Sequence, residues 1–294
     1  MSRSRDPGVV LVNVLMIVAL MSSVVFAMVS FGDLSIARSQ RFSEAGQAIS
    51  LVLAGENSAL AALRRDLARA PETDHAGEVW GQVAQQAVTI EDGSFALAIT
   101  DAQGLVNLTG LYPDAARPGV LPPDPRLLPG LAEAAGLPPD SAARLQTALR
   151  QTPPPGLMSD LAAAAGLTEA QAQALAAVAT LLPRPTPVNL NAAPLPVLKV
   201  LLGNPAHVRQ IDAIRRRTGV LTPADLAALG IPQQTAFGFT SAYFRVTTEV
   251  TIGRTTQSFT SLIHRRLTPP DDVPEAHVIA RQRSTTPAPL PVGP

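Results

Sequence analysis

The chain has 294 residues, with 23 basic and 23 acidic side chains and a formal net charge of zero; no global field draws it onto nucleic acid or an acidic surface. It contains no cysteine, which excludes thiolate chemistry, cysteine-based zinc sites and disulfides. Only 16% of residues are charged and 28 are proline, a composition that predicts alanine-rich helices interrupted by prolines.

Met1 to Gly8 is short and polar, with Arg3, Arg5 and Asp6. Val9 to Phe31 is then almost wholly apolar, broken by Asn13 and three serines. About 20 apolar residues suffice to cross a bilayer as a helix. The run exceeds the ~7–15 residues of a secretory signal core, and Ser30, Phe31, Gly32 and Asp33 make a poor cleavage site. The arginines ahead of the span favour a cytoplasmic N-terminus; Arg38 and Arg41 beyond it weaken that vote without reversing it. A polar leader, Gly8 and a long apolar helix resemble the prepilin peptidase substrates of type IV pilins and type II secretion pseudopilins. The resemblance implies cleavage between Gly8 and Val9, although an uncleaved signal anchor fits the same segment. Most pilin-like proteins carry Glu at the fifth mature position, which here is Asn13, an amide that cannot form the ion pair with a neighbouring subunit's amine.

Beyond the span, Phe42, Ala45, Ile49, Val52, Leu60, Leu63 and Leu67 follow three-and-four spacing, with Glu56 breaking the stripe. This predicts one helix that Pro71 ends, its second half packed on a sheet. Val88 and Ile90 precede the Asp92–Gly93 turn signal, and Phe95, Leu97 and Ile99 alternate after it. Asp101 to Gly104 reads as a further turn.

From Tyr112 to about Pro185 the texture becomes Ala, Leu and Pro. LAEAAGL at 131–137 matches LAAAAGL at 161–167, each followed by a helical pattern containing Leu145 or Leu175; Ala-rich low complexity produces such matches as well. Gly136 and Gly166 read as helix C-caps, and Thr168 with Gln171 as a capping box. Between Thr186 and Pro232, Asn191 is positioned to cap a helix through Leu202, GNP at 203–205 turns the chain, and a second helix carries Val208, Ile211 and Ile214 on one face. Thr222 and Pro223 start a third. Tyr243 to Leu267 returns to strands: Phe244, Val246, Thr248, Val250 and Ile252 share a face, and Gly253–Arg254 marks a hairpin. From Thr268 on, the proline-rich polar chain reads as a disordered tail.

The fold class expected is α+β, a pilin-like long N-terminal helix on a small antiparallel sheet, with an inserted all-α domain containing a helix-hairpin-helix or SAM-like unit. The divisions are a leader (1–8), a transmembrane half-helix (9–31), an amphipathic half-helix (32–70), a sheet (71–108 and 240–267), the insert (109–239) and the tail (268–294).

With the Gly8–Val9 junction, the helix lacking Glu, DAQGLVNL at 101–108 and VNLNAA at 188–193, the chain resembles the type II secretion system protein K family, the large minor pseudopilins. The two motifs are similar to a D-x-x-G-x-x-N-L and an N-x-N-T-A segment of that family. The resemblance implies a tip subunit of the periplasmic pseudopilus, anchored once in the inner membrane. Its implied partners are the I-, J- and H-type minor pseudopilins and prepilin peptidase, and the helix would pack on them through Phe42, Ile49, Val52 and Leu60. It also implies calcium in some members, but the insert lacks the acidic run such a site needs, so no metal or cofactor is expected.

No catalytic constellation is present: the histidines at 75, 207, 264 and 277 lack ligand spacing, and there is no nucleophile elbow or phosphate loop. Neither an enzyme nor a small-molecule substrate is expected. The rival reading is a membrane-anchored helix-hairpin-helix DNA-binding or uptake protein, with Arg215, Arg216 and Arg217 near the hairpin. Against it, Pro205 has no N–H to offer a phosphate, and the arginines fit a solvated helix end. No nucleic-acid partner is expected.

Overall fold

The computed structural model describes residues 7–83, 88–112 and 127–284. Residues 1–6 of the expected leader and 285–294 of the expected tail lie outside that range.

Helix α1 (Pro7–Arg69) is 63 residues long, roughly 95 Å at ~1.5 Å per residue. Among the described residues it is the one helix long and apolar enough to cross a membrane, and its apolar window is bare of other protein. Its distal half buries Ala48, Val52, Ala59, Ala62 and Leu63, spaced at the three-to-four intervals that form one helical face. A short helix, α2 (Val79–Gln82), follows.

The face of α1 rests on an antiparallel sheet of β1 (Val88–Ile90), β2 (Gly93–Asp101), β7 (Tyr243–Ile252), β8 (Thr255–Thr268) and β9 (Val273–Ser284), in that spatial order. Strand β7 buries Phe244, Val246, Thr248, Val250 and Ile252 with strict alternation, the period of a pleated strand with one covered face. Gly253, at φ +54°, and Arg254 close the β7–β8 hairpin.

Strand β9 corrects the expected tail. It pairs with β8 from Thr268↔Val273 to Ser258↔Ser284, with an irregularity at Leu262/Ile263 that leaves Ile279 unpaired. That bulge breaks the alternation by which a strand is recognised in sequence. Inward contacts hold it: Ala276 is buried in the α1–sheet core with Val278 packed beside it, and Arg281 donates to Glu56 of α1.

Between β2 and β7 lies a helical insert with its own core. A 3₁₀ turn at Ala102–Gly104 leads to β3 (Val106–Asn107). Then come α3 (Leu127–Ala134), α4 (Ser141–Leu149), α5 (Met158–Ala164), α6 (Glu169–Ala176) and β4 (Ala179–Thr180). Next are β5 (Val188–Asn189), α7 (Leu195–Leu202), α8 (Pro205–Thr218), α9 (Pro223–Ala228) and β6 (Phe237–Gly238). Two-residue parallel pairs close each half on itself, β3 with β4 in the first and β5 with β6 in the second. The repeated motif has repeated roles: Leu131 and Leu161 are both fully buried, as are Leu145 and Leu175, and Gly136 and Gly166 both sit at φ +63°, left-handed C-caps that a Cβ would strain. The expected capping box of Thr168 with Gln171 forms, and Thr222, expected as a cap, completes a second box with Asp225.

The hydrophobic cluster of the insert and the two clusters between α1 and the sheet share no buried residue. A small apolar cluster of Ala102, Leu182 and Tyr243 bridges them, and beside it the joint is polar.

Candidate functional site

The joint is built where the segment after α1 and the edge of the sheet meet the insert. Asp101 closes β2 and turns its carboxylate back on the chain. Its Oδ1 accepts from Gln103 N at 2.7 Å, and its Oδ2 from Asn189 Nδ2 at 2.7 Å and Ser241 Oγ at 2.6 Å. Asn189 Nδ2 also faces the Asp74 carbonyl at 2.9 Å. Gln103 Oε1 accepts from the amides of Ala242 at 2.7 Å and Tyr243 at 3.2 Å. The first family-like motif thus grips the strand that leaves the insert, and the second grips the first.

The remaining motif asparagines act as backbone substitutes. Asn107 Oδ1 accepts from Leu182 N at 3.1 Å while its amide donates to the Arg184 carbonyl at 2.7 Å. Asn191 forms the same two-way pair with Leu221, N–H to Oδ1 at 2.7 Å and Nδ2 to carbonyl at 3.1 Å. It is therefore not the N-cap of α7; Pro194 holds that position. Gly104 lies so close to the second motif that a Cβ would stand 2.6 Å from the Ala192 carbonyl oxygen.

A buried ion cluster sits behind these bonds. Arg265 on β8 is 2% exposed. It donates to Asp66 Oδ2 at 2.9 Å, to Asp74 Oδ1, and through Nε to the Ser241 carbonyl at 3.1 Å. Its guanidinium lies 4.5 Å above the centre of the Phe244 ring. Glu78 approaches the same cluster, accepting from Trp80 Nε1 at 2.8 Å and facing His75 Nε2 at 3.4 Å. Burial pushes Asp101 up to about 6 against the bonds from Ser241, Gln103 and Asn189. Burial likewise pushes Glu78 up to about 7, with the Trp80 bond opposing and Asp66 adding repulsion. Carboxylate oxygens of Asp66, Asp74 and Glu78 lie within 4.8 Å of one another. Arg265 already engages two of these groups, so this is an ion-pair knot and not a cage of free oxygens.

The expected partner-packing residues divide. Phe42 is 85% exposed and Ile49 44%. Val52 is 1% exposed and packs with Val250 and Ile252 of its own sheet, and Leu60 packs against the α1–sheet core. Val52 is thus withdrawn from any partner surface. The sheet ends near Glu44, which reaches the hairpin by accepting from Thr255 Oγ1 at 2.7 Å, so Phe42 projects beyond it. Gly8 and Val9 lie in the first turns of α1, and Asn13 is exposed on it.

Near the α7–α8 turn, Asn204 Oδ1 caps the Ala206 N–H at 2.9 Å. Arg215, expected at a solvated helix end, turns inward: it donates to the carbonyls of Ala193 at 2.6 Å and Leu190 at 3.0 Å. One of the three arginines of the DNA reading is therefore spent on the fold.

Sequence reasoning missed Arg265, Asp66, Asp74 and Ser241. The available signal was a charge on an inward period: Ser261, Ile263 and Arg265 alternate on the buried face of β8, while Glu56 and Asp66 interrupt the apolar stripe of α1.

No protein-family model matches the chain. It is 28% identical over 299 aligned residues to Type II secretion system protein K of Pseudomonas aeruginosa, covering 90% of each chain. Its fold is similar to a chain in the crystal structure of the GspK-GspI-GspJ complex from the enterotoxigenic Escherichia coli Type 2 Secretion System. There the TM-score is 0.64 at 18% identity, over 85% of this chain and 100% of that one.

Proposed function

We propose that this chain, a relative of type II secretion system protein K in sequence and in fold, is a minor pseudopilin that caps the pseudopilus tip and helps start its assembly. The observation that carries the reading is where the insert hangs. Its Asn189 bonds the Asp74 carbonyl just past the end of α1, and Arg265 of the sheet pairs with Asp66 and Asp74 beside it, at the opposite end of the helix from the apolar span. A bulky head there obstructs a subunit stacked above it, which suits the first member of a filament and not its middle. Asn13 agrees with that position. A leading subunit has no neighbour's amine ahead of it, and an unpaired carboxylate in an apolar setting costs several kcal/mol, of order ~3–5.

In this reading α1 is a single-pass inner-membrane anchor with its N-terminus cytoplasmic and the bulk of the chain periplasmic, supported by Arg3 and Arg5 ahead of the span. Partners are the I- and J-type minor pseudopilins, the kind named with the structural neighbour, with an H-type subunit below them. The chain acts as a structural component of export; its polar joint bonds segments of the protein to each other.

The test is location and stoichiometry in assembled pseudopili. Labelled chain should sit at one end of each filament and co-purify with one copy of each of the I- and J-type partners. Uniform decoration along the filament would sink the tip assignment.

A further inference from the structure

Among the described residues the joint gathers four carboxylates around one guanidinium. Helix α1 supplies Asp66, the segment after it Asp74, His75 and Glu78, the end of β2 Asp101, and β8 Arg265. The insert and the strand leaving it bring only neutral groups, Asn189, Gln103 and Ser241. On β7, Arg245 reaches away to Thr180 Oγ1 at 3.5 Å. Asp74 and Asp66 share Arg265; Asp101 and Glu78 make no ion pair with it. The Glu78 side chain is 9% exposed, and its Oε1 is buried without a hydrogen-bond donor.

We propose that this joint is a proton-operated latch, in which protons held by Glu78 and Asp101 keep the helical insert seated on the sheet and their loss loosens it. With all four carboxylates ionised, the buried negative charge exceeds what Arg265 balances, and desolvated like charges repel strongly. A proton on Asp101 Oδ2 converts its contact with Ser241 Oγ into a donated bond. His75 Nδ1 accepts from Gly77 N, so the neutral ring carries its proton on Nε2, facing Glu78 Oε1, and a proton on Glu78 removes one of the buried charges that repel Asp66 and Asp74.

The direction follows from linkage. Glu78 rises from 4.5 to about 7 and Asp101 from 3.8 to about 6, so the folded joint binds more protons than the unfolded chain over that interval. Its stabilisation is complete below the unfolded values and drains away as pH climbs through about 6 and then about 7.

The latch carries its own reporter. Trp80 is the single tryptophan of the chain; its indole N–H donates to Glu78 and its ring meets Phe244 edge-on with centroids 5.1 Å apart. The experiment uses the full chain in detergent micelles, with tryptophan emission followed from about pH 5 to about pH 8. It is paired with hydrogen exchange at the Ser241 and Ala242 amides, which bond to Asp74 and Gln103 across the joint. The expected result is an emission transition centred near pH 7, abolished by Glu78→Gln. Amide exchange, corrected for intrinsic pH dependence, should be about tenfold faster at the alkaline end. A wild-type chain whose corrected exchange does not change with pH overturns the proposal, whether or not the variant folds. So does an emission transition that survives Glu78→Gln unchanged.

Discussion

Asp101 Oδ2 and Asn189 Nδ2 meet at 2.7 Å across 88 residues of chain, and through that contact the strand that enters the helical insert recognises the segment that begins its second half. Asn189→Ala should leave Asp101 and the Asp74 carbonyl short of a donor at a largely buried joint. Stranding buried acceptors costs about 1–3 kcal/mol, so the thermal midpoint of the full chain in detergent should fall by several degrees. Asn189→Asp should fall further, because it adds a carboxylate to an acid-rich joint. A chain that tolerates both unchanged would mean that the apolar contact of Leu182 with Ala102 and Tyr243 holds the insert without the polar joint.

Gly104 gives a steric version of the same test. A Cβ there would press on the Ala192 backbone oxygen at 2.6 Å, which cannot swing aside as a side-chain tip would. Gly104→Ala should therefore destabilise the chain by about 1–3 kcal/mol. Gly46→Ala, in a helical position with nothing within 4 Å, should instead stabilise it by about 0.5–1 kcal/mol through helix propensity alone. Melting the two variants side by side separates close approach from a general intolerance of glycine replacement.

The strand at the sheet edge has a charged lock. Glu56 is 3% exposed and accepts from Arg281 and Ser261. Burial alone would raise its pKa, yet the bonds from Arg281 and Ser261 hold it below the ordinary value of 4.5. A depressed carboxylate gives stability that is present above its unfolded value and lost as pH falls below it, the opposite sense to Glu78. Arg281→Met should destabilise the chain by less than the ~3–5 kcal/mol of a fully buried pair, because Arg281 is partly exposed. Adding Glu56→Leu should recover much of that loss. A double variant as weak as the single one would show that Glu56 does more than answer Arg281.

Where periodicity was regular, the sequence was readable. The alternation of β7, the stripe of α1, the N-caps at Thr168 and Thr222 and the C-caps at Gly136 and Gly166 are local rules, and each is met within a few residues. The joint was not readable, because its members come from positions 66, 74, 101, 189, 241 and 265 and no local pattern marks them as neighbours. DAQGLVNL and VNLNAA stood out by resemblance, but what Asp101, Asn107 and Asn191 bond to emerges only in three dimensions. β9 was lost to its proline and to the bulge at Ile279, and Arg215 to the habit of reading arginines near a helix C-terminus as solvated.

Phe42 and Ile49 remain exposed on the helix after Val52 and Leu60 have turned inward. An aromatic ring left 85% exposed beyond the end of its own sheet suits a facing helix, which would bury it by ridge-and-groove packing. Phe42→Ala should weaken association with the I- and J-type partners by about 3–5 kcal/mol if the ring is central to the contact, and by less at its rim. The thermal midpoint of the isolated chain should not move, since the ring touches little of its own protein. A drop in midpoint with unchanged partner binding would reassign Phe42 to the fold.

Processing at the N-terminus is the remaining prediction. A polar leader ends at Gly8 and an apolar helix begins at Val9, the junction that pilin-like chains present to prepilin peptidase at the cytoplasmic face. Removing the leader strips two arginines and an aspartate from the end of the span, which then starts on an apolar residue suited to lateral contact within the bilayer. Gly8→Val should block cleavage, because this peptidase family requires a minimal side chain before the cut. Intact-mass measurement of the membrane-extracted chain should find Val9 as the first residue in the wild type and the whole leader retained in the variant. An uncleaved wild-type chain would make the segment an ordinary signal anchor, and a cut after Ala27 or Gly32 would remove the membrane half of α1 altogether; either result would also remove the basis for reading Asn13 as the fifth mature position.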